Sequence, residues 1–71
     1  MSKQVVAQMA GTIWKILVKE GDAVNAGDTV AILESMKMEI PLEATQAGVV
    51  AKIDAPEGTV VDDGAAVVTL V

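Results

Sequence analysis

The sequence predicts an all-β fold, a sandwich or flattened barrel of two similar antiparallel half-sheets with internal twofold pseudosymmetry. Three observations predict it. The 71 residues are 52% hydrophobic yet carry a single aromatic, Trp14, so the interior is built from Val, Ile, Leu, Ala and Met, a β-branched mixture that favours strands. Apolar and polar residues alternate in short runs broken by Gly, Asp and Pro. Finally, residues 10–34 (AGTIWKILVKEGDAVNAGDTVAILE) align without a gap on residues 47–71 (AGVVAKIDAPEGTVVDDGAAVVTLV), an offset of 37 that brings all six glycines into register.

Each element follows from that repeat. Residues 4–8 stand one offset before residues 41–45 and share the match Ala7/Ala44. Residues 12–19 read as a strand with Thr12, Trp14, Ile16 and Val18 on one face and Ile13, Lys15, Leu17 and Lys19 on the other, the lysines marking the wet side. Trp14 is thereby assigned to core packing, since one aromatic makes no ligand-stacking platform. The Glu20-Gly21-Asp22 turn, a brief Ala23-Val24, the Ala26-Gly27-Asp28 turn and a strand over 29–35 complete the first half. The half-repeats run over about 4–35 and 38–71, within one domain spanning 1–71. The glycines fit no phosphate-binding fingerprint and read as turn residues that need positive φ.

Composition narrows the chemistry. The absence of Cys and His removes thiol nucleophiles, imidazole catalysis and the usual zinc ligands, so neither catalytic residues nor a metal site is expected. A net charge of −5 repels phosphate backbones and anionic membrane surfaces, so nucleic acid and membrane are not expected partners. With no run long enough to span a bilayer and no signal-peptide core, the chain is expected to be soluble, cytoplasmic and monomeric when isolated.

Between the halves lies Glu34-Ser35-Met36-Lys37-Met38-Glu39. With Met36 and Lys37 as a two-residue hairpin tip, Ser35 faces Met38, Glu34 faces Glu39, Leu33 faces Ile40 and Ala31 faces Leu42. Two local rules are broken there. The tip is Met-Lys where such turns favour Asn-Gly or Asp-Gly, and Glu34 opposes Glu39, a like-charge pair. Broken rules of this kind concentrate at functional sites, although a tip lysine taken alone is an ordinary solvated charge.

The Met36-Lys37-Met38 triplet with upstream Glu34, set between two glycine-punctuated half-repeats, resembles the biotinyl/lipoyl attachment domain, and within it the biotinyl branch of free-standing biotin carboxyl carriers. The resemblance covers about residues 4–71. It implies two four-stranded antiparallel sheets, with Lys37 exposed on a hairpin as the site of covalent biotin attachment and with Met36, Met38 and Glu34 contributing to recognition by a biotin protein ligase. Such a protein is a carrier and not an enzyme. The ligase presents biotin as an acyl-adenylate that the lysine amine attacks. A lysine amine is almost wholly protonated at neutral pH, so the ligase must assist its deprotonation. The product would be an arm of about eleven single bonds reaching roughly 14 Å, shuttling a carboxyl group between biotin carboxylase and carboxyltransferase components. The lipoyl branch, with lipoate as cofactor for acyl transfer or redox chemistry, is the alternative; there the lysine typically follows Asp and precedes Ala, positions held here by Met36 and Met38. A third reading is an unmodified barrel-sandwich interaction module. Ala10 replaces the proline usual before the first glycine, and no inserted thumb precedes the hairpin, so the particular carboxylase stays open.

Overall fold

The computed structural model describes residues 3–71. In chain order the strands are β1 (Lys3–Val6), β2 (Gly11–Ile16), β3 (Ala23–Val24), β4 (Thr29–Ser35), β5 (Met38–Glu43), β6 (Gly48–Ile53), β7 (Val60–Val61) and β8 (Ala66–Leu70). They form two four-stranded antiparallel sheets, ordered β1-β8-β6-β3 and β5-β4-β2-β7. The expected architecture is therefore present.

The repeat offset is also a structural operator. It carries β2 onto β6 and β3 onto β7 residue for residue, and it exchanges one sheet order for the other. Loop hydrogen bonds repeat with it. The Ala7 N–H donates to the Ala65 carbonyl as the Ala44 N–H does to the Asp28 carbonyl, both at 2.9 Å. Likewise, Gly21 N–H donates to the Val50 carbonyl (2.8 Å) and Gly58 N–H to that of Ile13 (2.7 Å). Each sheet holds two strands from each half, so the halves interlock.

The core lies between the sheets and is entirely apolar among the described residues. Its members come in symmetry pairs, including Val5/Leu42, Ile13/Val50, Val30/Val67, Ala31/Val68 and Leu33/Leu70. Burying a Leu or Val side chain of this kind contributes about 1.5–3 kcal/mol, which is how a chain with one aromatic closes a core.

The predicted facing of β2 is corrected by a β-bulge. Ile13 opposes Leu33 but Lys15 opposes Ile32, so Trp14 is the inserted residue and the alternation reverses after it. Ile13 is buried, whereas Trp14 is 43% exposed, with the Lys15 ammonium 5.3 Å from its ring centroid. Trp14 is thus a surface residue, not a core one. The same slip occurs at Ala51 in β6. The turn assignment of the glycines holds for Gly21, Gly27, Gly58 and Gly64, all at positive φ, but Gly11 and Gly48 are strand residues.

Candidate functional site

The hairpin of β4 and β5 has the register the sequence predicts: Ser35 opposite Met38, Glu34 opposite Glu39, Leu33 opposite Ile40 and Ala31 opposite Leu42. Its base is fixed from three sides. Inside, Leu33 and Leu42 are buried in the core. Laterally, β4 is an interior strand, paired with both β2 and β5. On the β2 side, Gly11 lies so close that a Cβ built on it would stand 2.6 Å from the Glu34 carbonyl oxygen, an approach only glycine permits.

Above that base the chain reverses through Met36 at φ 53° and Lys37 at φ 65°. Two consecutive left-handed residues are the signature of a type I′ turn, whose twist matches the flanking strands. Neither side chain has the short polar group that eases this conformation in Asn or Asp, so the turn is held by its strands rather than by its own preference. Lys37 is exposed, and among the described residues no ion pair or side-chain hydrogen bond involves it. Met36 is 89% exposed and Met38 56% exposed, so both thioethers are presented to solvent beside the amine. Glu34 and Glu39 are exposed cross-strand partners beneath the tip. The predicted site residues Lys37, Met36, Met38 and Glu34 are therefore gathered at one end of the molecule.

That end is remote from the one where β1 begins. β1 starts where Lys3 pairs with Leu70 and leads through residues 7–10 to Gly11, which abuts Glu34 just below the tip. The strands thus run along the long dimension of a molecule measuring 32 × 17 × 17 Å, with Lys37 projecting from one end. An exposed amine at the tip of a hairpin braced by the core is an arrangement that offers a lysine for modification.

Comparison with known proteins agrees. The chain belongs to the biotin/lipoyl attachment family, described as "Biotin-requiring enzyme", which it matches over residues 1–70. It is 52% identical over 60 residues to the biotin/lipoyl attachment protein of Bacillus subtilis, covering 84% of this chain and 82% of that one. It is 41% identical over 64 residues to the biotinylated protein TB7.3 homolog of Mycobacterium leprae, covering 90% of each. Among solved structures, the urea carboxylase of Kluyveromyces lactis superposes with a TM-score of 0.93 at 37% identity; the match covers all of this chain but only 6% of that one.

Sequence reasoning missed the exposed cluster around Trp14. The signal was present in the repeat itself, because Trp14, Leu17 and Ile32 align with Ala51, Asp54 and Thr69. Alternation already places Leu17 on the wet side of β2; only the bulge reveals that Trp14 stands there with it.

Proposed function

We infer that this protein is a biotin carboxyl carrier, modified on Lys37 by a biotin protein ligase in the cytoplasm and monomeric by itself. The observation that carries this reading is the exposed Lys37, flanked by two exposed methionines on a turn whose backbone is braced by the core. The kinship with biotinylated proteins and the fit to one domain of a carboxylase support it.

The chain's own contribution is presentation. The hairpin holds the Lys37 amine clear of the body, so that it reaches a ligase-bound acyl-adenylate and forms an amide as AMP departs. Met36 and Met38 offer adaptable apolar contact to the ligase, and Glu34 lies beneath them as a fixed charge. Lys37 would hold biotin through that amide, and the bound group would supply a carrier for a carboxyl group between an ATP-dependent carboxylase site and a carboxyltransferase site. The rigid base keeps the tether from wandering, which raises its effective concentration at each site in turn.

Intact mass after incubation with biotin, ATP and a biotin protein ligase tests the reading. One biotinyl increment is expected on the native chain and none on Lys37→Arg, whose guanidinium stays protonated, with an unchanged β-sheet spectrum. Label retained by Lys37→Arg would transfer the site to another lysine. The name of the Bacillus subtilis relative also admits lipoate. Parallel reactions with the two ligases separate the readings, and preferential lipoylation would overturn the biotin assignment.

A further inference from the structure

The pseudo-twofold provides an internal control for the outer surface of each sheet. Position by position, the centre of the β5-β4-β2-β7 face carries Trp14, Leu17, Ile32 and Pro41 where the opposite face carries Ala51, Asp54, Thr69 and Gln4. Both faces have the same bulged backbone. On the opposite face the Thr69 hydroxyl donates to Asp54, and Lys52 lies 3.8 Å from Asp54, a polar surface suited to water despite valines at its margins. The fold therefore does not require apolar residues at these positions. Yet Trp14 is 43% and Leu17 50% exposed on the sheet that bears the Lys37 hairpin, with the Lys15 ammonium 5.3 Å from the Trp14 ring centroid. Around them stand the exposed carboxylates of Glu34, Glu39 and Glu43, none of them in an ion pair among the described residues.

We propose that this face docks the ATP-dependent biotin carboxylase, which seats an apolar recess over Trp14 and Leu17 and sets basic side chains opposite Glu34, Glu39 and Glu43. An apolar centre anchored by tryptophan within a charged rim is the anatomy of a specific protein interface. Charge selects the occupant: an enzyme that gathers bicarbonate and ATP, both anions, needs an electropositive mouth, and a carrier of net charge −5 is drawn to it. Distance sets the ligase aside. A ligase must grasp the bare lysine and so sits on the tip, whereas Ile32 lies roughly 14 Å below the tip by strand rise. An enzyme that receives the loaded arm has that much slack and can hold the body of the domain.

The inference rests on the carrier reading, and the test separates the two. The native protein and the double variant Trp14→Ala, Leu17→Asp, which installs the residues of the opposite face, are each loaded with biotin by the ligase. Each is then titrated against the biotin carboxylase of the same organism with ATP and labelled bicarbonate. The double variant should keep its β-sheet spectrum, since both residues already occupy the equivalent backbone positions. Its KM as carrier should rise roughly tenfold or more with kcat unchanged, while its loading by the ligase stays within about twofold. Trp14→Ala alone should show a smaller rise in the same direction, and Lys52→Ala, on the opposite face, none. An unchanged KM, or a defect confined to carboxyl transfer, overturns the proposal. A fall in loading as large as the fall in carboxylation would assign the face to the ligase instead. A native protein that is not loaded, or is loaded and not carboxylated, overturns the carrier reading and the docking face with it.

Discussion

Met36 and Lys37 occupy the left-handed region at φ 53° and 65°, where a side chain without a local hydrogen-bonding group costs about 1–2 kcal/mol per residue. Met36 repays none of this through packing, because it is 89% exposed. Its side chain therefore contributes little to holding the fold. Met36→Asn places a residue tolerant of positive φ at the same turn position. Stability to urea is expected to rise by about 0.5–1 kcal/mol, while kcat/KM for ligase-catalysed loading falls. A variant that loses stability would mean that the thioether packs in the folded protein after all. At this scale the site was legible: Lys37 and its neighbours stood out because a turn sequence broke turn chemistry. Trp14 was not legible, because a lone aromatic within an apolar run looks the same whether it faces inward or outward.

The strands show why. Alternation places residues on faces only while the ladder is regular: with one extra residue at Trp14, Ile13 turns into the core and Trp14 out of it, while Ile16 and Val18 keep the inward places and Lys15, Leu17 and Lys19 the outward places that alternation assigns. Bulges leave no mark in composition; they satisfy the twist and closure of the sheets. The hairpin, by contrast, was fully legible, since a two-residue tip sets the register of both strands. Gly11 was half legible: its register with Gly48 was visible, but its purpose was not. It is no turn glycine; it lets β2 lie against the Glu34 carbonyl, just as Gly48 lies against that of Val71, where a Cβ would stand at 2.9 Å. Gly11→Ala therefore pushes backbone against backbone immediately below the tip. It is expected to destabilise the protein by about 1–3 kcal/mol and to shift the amide resonances of β4 and β5 more than those of β1 and β8. A neutral effect on thermal unfolding would show that the strand can move aside freely, and the hairpin base would then not be the rigid post described above.

Across the whole molecule the repeat yields two interlocked halves rather than two stacked ones. β1 has β8 as its partner and β3 has β6, so both outer strands of the first half pair only with the second half. A peptide of residues 1–37 retains one internal pairing, that of β2 with β4. Such a two-stranded unit is marginal in water at best. Its apolar side, with Ile13 and Leu33, would lie open, because the residues that cover it in the core include Val50, Val67 and Leu70 of the other half. Folding thus requires the full set of long-range pairings at once, and no half should be stable alone. The peptide of residues 1–37 and that of 38–71 are each expected to give collapsed amide proton dispersion in solution. Mixed at equal concentration, they should recover the dispersed spectrum of the intact chain, since the cut falls at the exposed tip and breaks no core contact. Complementation should also be concentration-dependent, because joining the two halves becomes a bimolecular step. A dispersed spectrum from either peptide alone would show that one half closes its own core, and the interlocked reading of the repeat would fail.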